Sequence, residues 1–391
     1  MIDINELLKI AVRGKASDVH IKVSMPPIFR VDGALVPLKD GQRVTQEDSE
    51  KMAMSLMNDE QKVHFKTNHE IDLSYGVTGV GRFRVSVFQQ RGTVGLVFRV
   101  VPFKVFSIKE LNLPPVLEKI ALENRGLVLI TGTTGSGKST SLAAIIDHIN
   151  ANRTSHILTI EDPIEFLIRD KKSIINQREM GVDTRTFASA LRSSLRQDPD
   201  VILVGEMRDL ETIETVLMAA ETGHLVFSTV HTMDAKETIS RIISVFPAYQ
   251  QKQIRLQLAS VLKAVVSQRL VPRADRKGRV CACEILISTS RIRNLIIEEN
   301  RTSEIQDAIA EGNVAYGMQT FDQSLMQLLL KKLITYDEAL KQCTNPDDFA
   351  LKVKGVSSST DTNWDAFQEE QEEDKKDQGP LTLDDIKIDR F

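Results

Sequence analysis

The chain has 391 residues, 41% of them hydrophobic, and a formal net charge of −4, which is too long for one ordinary domain and enough to bury a sizeable core. No apolar run approaches the roughly 18 residues of a membrane span, so no membrane insertion is expected. Residues 357–391 hold eleven acids against four bases, a net −7 that leaves about +3 elsewhere, and a near-neutral body argues against nucleic acid as the main partner.

In chain order, "MIDINELLKI" carries acids where an export signal is basic, so the chain is expected to stay in the cytoplasm. Three cysteines cannot form a disulfide framework and fit the same reducing compartment. "INELLKIAV" spaces apolar residues as a helix does, and "SDVHIKV" alternates as a strand does. "IFRVDGALVPL" is two apolar runs about Asp32-Gly33, a hairpin signal. "TQEDSEKMAMSLMNDEQKVHF" reads as helix opened by a Thr45 cap, and "GRFRVSVFQQRGTVGLVFRVVP" as two strands about Gly92. Residues 1–103 thus read as a first α/β domain, followed by a proline-interrupted linker at 104–114.

Over residues 115–350 strands and helices alternate: "GLVLIT", a helix after Lys138, "HILTI", a helix near "TFASALRSSLR", "VILVG", a helix near "DLETIETVLMAAE", and "LVFSTV". Short apolar strands separated by helices indicate a parallel sheet covered on both faces, the α/β class. From about Lys236 the pattern is mostly helical, including "MQTFDQSLMQLLLKK". Residues 351–391 lack apolar residues for a core and are expected to form a disordered acidic tail. That tail holds Trp364 beside Phe367 and ends in "LTLDDIKIDRF", a pattern found both in inert charged termini and in segments that order on a partner.

"GTTGSGKS" fits G-x-x-x-x-G-K-[S/T] between a strand and a helix. The backbone N–H groups of Gly132, Thr133, Thr134, Gly135, Ser136 and Gly137 can converge on phosphate oxygens at the helix N-terminus, where Thr140 also lies. Lys138 is expected to reach the β and γ phosphates and the Ser139 hydroxyl to ligate Mg²⁺, so ATP and Mg²⁺ are the implied cofactors.

"ILTIEDPIEF" sets Glu161, Asp162 and Glu165 just past a strand. A carboxylate there can orient water for attack on the γ-phosphate, and equally can serve as a helix-start acid beside Pro163. "VILVGEMRD" ends a strand at Glu206, one methylene longer than the usual Asp and able to reach Mg²⁺ through a water. His224 and His231 flank "LVFSTV" at an odd separation, which argues against a shared metal. His231 can sense the γ-phosphate, while His224 reads equally as a structural histidine.

Together these residues resemble the secretion-ATPase superfamily, and within it the twitching-motility ATPases PilT and PilU. The matching pieces are the phosphate loop, "ILTIEDPIEF" as the Asp box, "DPDVILVGEMRDLETI" as the Walker B, and "AAETGHLVFSTVHT" as the His box, with likeness from about residue 3 to residue 350. The resemblance implies a PAS-like domain in the first segment, a RecA-like P-loop ATPase domain with a helical C-terminal part in the second, and a homohexamer with ATP between subunits. It makes Glu206 the metal-associated acid and Glu165 the catalytic glutamate. It also implies that arginines of the N-terminal domain complete the site. Arg82 and Arg84 share a strand face and Arg99 lies in the next strand; periodicity alone fits a solvated basic face equally well. As arginine fingers they would stabilise charge on the transferring phosphate.

Pilus-assembly and type II secretion ATPases usually carry a four-cysteine zinc module near the position of "RADRKGRVCACE". Cys281 and Cys283 cannot supply four ligands, so buried thiols are expected and retraction fits better than assembly. "SRIRNLI" is similar to the AIRNLI motif with Arg291 in place of Ala. "GMQTFDQSLMQLLL" and "TYDEALKQCTNPDDF" look like PilU, the Walker B and His boxes like PilT, and the balance is towards PilU. The implied function is an ATP-driven motor for type IV pilus retraction at the cytoplasmic face of the inner membrane. Its implied partners are a paralogous PilT-type ATPase and a PilC-like platform protein. Two alternatives stand beside it: an accessory ring subunit that relies on the paralogue for force, and a nucleic-acid motor, which an aromatic content of 5% makes less apt.

Overall fold

A computed structural model describes residues 3–39, 41–102 and 104–354; the expectations for the tail beyond Lys354, with Trp364 and Phe367, lie outside them. The fold is α/β, as expected. It divides into two compact units, Met1–Ser107 with Ser139–Glu206, and Ile108–Lys138 with Met207–Phe391.

The first unit opens with β1 (Asp18–Ile21), β2 (Ile28–Val31), β3 (Ala34–Pro37), β4 (Glu70–Val77), β5 (Gly81–Gln90) and β6 (Thr93–Val100). They form an antiparallel sheet in the order β3-β2-β1-β6-β5-β4. Along β5 the alternation sends Phe83, Val85 and Val87 into the core and leaves Arg82 and Arg84 on the other face. Leu7, Leu8, Met52 and Phe65 from three helices complete that core. Asp32 and Gly33 both take positive φ, 49° and 83°, as a two-residue hairpin turn requires.

Two readings of this region need correction. The helical stretch after Thr45 is two helices, Gln46–Leu56 and Asp59–Asn68. Asn58 accepts the Gln61 N–H while the Gln61 side chain accepts the Asn58 N–H, and this reciprocal cap starts the second helix. The sheet also gains β4, which the sequence concealed because only Leu73 of that edge strand is buried.

The remaining strands are β7 (Gly126–Thr131), β8 (His156–Glu161), β9 (Ile174–Glu179), β10 (Val201–Val204), β11 (Leu225–Val230), β12 (Leu262–Pro272) and β13 (Arg279–Ile287). In the first unit β10, β8 and β9 run parallel in that order. The polar edge strand β9 was not expected either. In the second unit β11, β7 and β12 are parallel and β13 pairs antiparallel with β12. Every residue of β7 and β11 is buried. The mostly helical reading after Lys236 holds for most of that stretch, from the helix Ala235–Ser244 to the helix Pro346–Val353, but it missed the β12–β13 pair. The helix Ala248–Val261 passes directly into β12 with no Gly or Pro between them, so no break signals the change. Among the described residues no helix is long and apolar enough to cross a membrane.

Candidate active site

In the second unit β7 delivers the chain to the phosphate loop. Gly132, Gly135 and Gly137 hold φ of 140°, 81° and 93°, values that L side chains rarely adopt. A Cβ on Gly132 would meet Ser136 Oγ at 2.5 Å and the Gln268 carbonyl at 2.6 Å, so the loop folds tightly against β12. Lys138 is buried and its Nζ donates to the carbonyls of Gly132 and Thr133 at 2.8 and 2.9 Å. The loop is therefore wrapped around its own ammonium. Ser136 Oγ is buried without a hydrogen-bond partner, a polar atom pre-placed for an incoming acceptor.

Beside Thr134 lies a cleft of about 400 Å³, lined also by Met207, Arg208, Val230, His231 and Arg241. His231 follows β11 and faces this cleft. His224 stands at the strand's other end, its Nδ1 2.9 Å from the Ala219 carbonyl at the close of the helix Leu210–Glu221. The two histidines are thus separated, and His224 serves a helix end. Arg208 and Arg241 escaped the sequence reading. Arg208 stood within the quoted Walker B motif; Arg241 carried no motif at all, only its place on the helix Ala235–Ser244.

The first unit holds the other candidates. Ser139 and Thr140 lie in the first turn of the helix Lys138–Asn152. Glu161 ends β8, where its carboxylate accepts from Thr159 Oγ1 at 2.7 Å and Gln177 Nε2 at 3.0 Å, and also from the Glu165 N–H. Burial pushes its pKa above the ordinary carboxylate value, and these hydrogen bonds oppose the rise. Glu161 is thereby engaged in holding the loop, whereas Asp162 and Glu165 are exposed. Glu206 is half-buried after β10, behind a Gly205 whose N–H donates to the Ile160 carbonyl at 2.8 Å.

All three arginines have acidic partners within this unit. Arg82 Nη2 lies 2.9 Å from Glu179 Oε2, and Arg99 Nε lies 2.9 Å from Asp18 Oδ1. Arg84 reaches Asp72 at a looser 3.9 Å. Arg84 and Arg99 are direct cross-strand partners on β5 and β6. Asp18 is buried, which works against its charge, yet hydrogen bonds from Ser17 and Arg99 bring its pKa below the ordinary value. Cys281 and Cys283 are buried, as expected, with their sulfurs 3.5 Å apart. Arg291 pairs with Glu311.

The sequence profile described as "Type II/IV secretion system protein" matches residues 1–329. The chain belongs to that family. It is 46% identical over 353 residues to the type IV pilus retraction ATPase PilT of Pseudomonas aeruginosa, covering 89% of this chain and all of that one. It is 41% identical over 360 residues to PilU of the same organism, covering 92% and 93%. Among solved structures, the pilus retraction motor PilT with bound ADP superposes with a TM-score of 0.80 at 46% identity, over 89% of this chain and 99% of that one. The Legionella pneumophila ATPase DotB gives 0.73 at 27% identity, over 90% and 94%.

Proposed function

We propose that the chain is a Mg²⁺-dependent ATPase that works as a homohexameric motor in type IV pilus retraction. The observation that carries this reading is the phosphate loop: three positive-φ glycines, a buried lysine and a buried serine hydroxyl with no partner. PilT and PilU as near full-length relatives supply the pilus setting. On this reading residues 1–103 are a PAS-like domain, 104–114 a linker, and 115–350 the RecA-like ATPase domain.

Lys138 exchanges its two carbonyl acceptors for the β and γ phosphates, and the loop N–H groups bind the remaining oxygens. Ser139 and Glu206 are the residues that would hold Mg²⁺. Among the described residues no group of three or more His, Cys, Asp or Glu forms a metal cage, and a hydroxyl with one carboxylate suits an ion that keeps waters and phosphate oxygens. Bound Mg²⁺ neutralises phosphate charge. Glu165, exposed on its loop, orients the attacking water, and Glu161 fixes that loop. Thr134, His231, Arg208 and Arg241 present donors to one cleft, a setting for reading the γ-phosphate. Arg82, Arg84 and Arg99 supply positive charge to the transferring phosphate across a subunit boundary.

A second reading, an accessory ring subunit dependent on a PilT-type paralogue, stands beside it because the chain is similar to both PilT, at 46% identity, and PilU, at 41%. Steady-state phosphate release by the purified chain, with and without Mg²⁺, tests the first. Robust Mg²⁺-dependent turnover that Lys138→Ala abolishes is expected. Turnover that survives Lys138→Ala overturns it. Retraction assays in cells lacking this chain or the paralogue separate the motor from the accessory role.

A further inference from the structure

Glu179, the last residue of β9, has no part in the roles assigned above. It is 2% exposed, and its carboxylate is surrounded by donors from three segments. Ser74 of β4 donates to Oε1. Arg82 of β5 and the backbone N–H of Ile164 both donate to Oε2, at 2.9 and 3.1 Å. The Glu179 N–H is itself fixed by Asp183 at 2.8 Å. Ile164 directly precedes Glu165. Two residues back on the same strand, Gln177 donates to the Phe166 carbonyl at 2.9 Å and accepts the Ile168 N–H at 2.9 Å. Gln177 and Glu179 thus grip the loop on both sides of Glu165.

We propose that Glu179 is a positioning residue for ATP hydrolysis, whose single carboxylate couples Arg82 to the loop that carries Glu165. The physics is that of a buried ion pair. Arg82 is the charged partner of a carboxylate shielded from water, and withdrawing it leaves Glu179 with only neutral donors at large cost. The carboxylate must then recruit another donor or shift, and the atom that shifts also holds the Ile164 N–H. Arg82 itself is 24% exposed and can leave towards solvent or a phosphate. The state of the arginine is thereby transmitted to the loop. This rests on the reading that Glu165 and Arg82 act in ATP hydrolysis.

The test uses the full chain and three substitutions: Glu179→Ala, Glu179→Gln and Arg82→Ala, with the double variant Arg82→Ala/Glu179→Gln. Phosphate release gives kcat and KM, a fluorescent ADP analogue gives Kd, and chemical denaturation gives stability. Glu179→Ala removes the hook on Ile164 and should lower kcat by about 10-fold or more, with Kd within about 3-fold of wild type. Glu179→Gln keeps volume and one oxygen for the Ile164 N–H, and should recover most of the lost kcat. Arg82→Ala should cost kcat more in the wild-type background than beside Glu179→Gln, because the amide leaves no unpaired buried charge. Unchanged kcat in Glu179→Ala, equal losses in the Ala and Gln variants, or an additive cycle each overturn the inference. Wild-type turnover that is absent, or that survives Lys138→Ala, overturns instead the reading beneath it.

Discussion

Glu284 should make this protein less stable as pH rises through neutrality, and Glu284→Gln should remove the effect. The residue lies on β13 with 0% exposure. Its Oε1 accepts the Ala235 N–H at 2.8 Å and its Oε2 accepts from Gln306 Nε2 at 3.0 Å. Burial raises its pKa from 4.5 to about 7; the two hydrogen bonds and Arg269 oppose the rise, and Asp234 adds to it. The folded state therefore holds a proton that the unfolded chain releases near pH 4.5. Stability from this group is complete below pH 4.5 and is lost as pH climbs through 7. Each pH unit in that window costs about 1.4 kcal/mol, so the loss is about 1 kcal/mol at pH 5 and about 3 kcal/mol at pH 8. The amide introduced by Glu284→Gln would carry no charge, could accept the Ala235 N–H through its oxygen, and could satisfy a turned Gln306 amide. Urea unfolding of both chains from pH 5 to pH 8 gives the measurement. Their stability difference should move in favour of Glu284→Gln by about 2 to 3 kcal/mol over that range. Glu161, also pushed up by burial, cancels because both chains contain it. A difference that stays flat with pH, or moves the other way, refutes the reasoning.

Three further outcomes are expected. Lys138→Ala should reduce ATP turnover by about 100-fold or more and weaken nucleotide binding, measured by phosphate release and by titration of a fluorescent ADP analogue. Glu165→Gln should keep nucleotide affinity and lose turnover; parallel loss of both would assign it a structural role instead. Gly132→Ala should abolish nucleotide binding, because its Cβ would meet Ser136 Oγ at 2.5 Å and the Gln268 carbonyl at 2.6 Å at a φ of 140°; binding equal to wild type in titration would contradict the tight loop geometry.

What was legible in the sequence was what is contiguous. The phosphate loop could be read because its glycines, lysine and flanking strand and helix follow one another within a few residues. The hairpin at Asp32-Gly33 and the outward face of β5 followed from local rules alone. The edge strands β4 and β9 were missed, since they bury too few side chains on a regular period, whereas the exposed edge strand β3 was betrayed by its turn. Strand β12 was missed because it continues a helix without punctuation. The cap at Asn58 was readable from "NDEQ", yet the apolar spacing ran on across it. Nothing local marks Arg82 as the partner of Glu179, 97 residues away, or sets Arg241 beside His231. Those depend on register and crossover, which no window of the sequence contains.

Three inward-facing glutamates of this chain show why that pairing matters. Glu161 and Glu284 are hydrogen-bonded to neutral donors, and burial pushes both towards holding a proton. A carboxyl satisfied in this way is fixed in place, because its partners are backbone, hydroxyl and amide groups with nowhere else to go. Glu179 shares its buried position with a guanidinium 2.9 Å away. Its surroundings then depend on a side chain with four rotatable bonds and a path to solvent, which a phosphate can attract by the same charge. A neutral donor fixed in place of Arg82 would not respond to a nearby phosphate and so would transmit nothing. The ion pair is the one arrangement of the three that can report the presence of a second anion, and it is the one tied to the loop before Glu165.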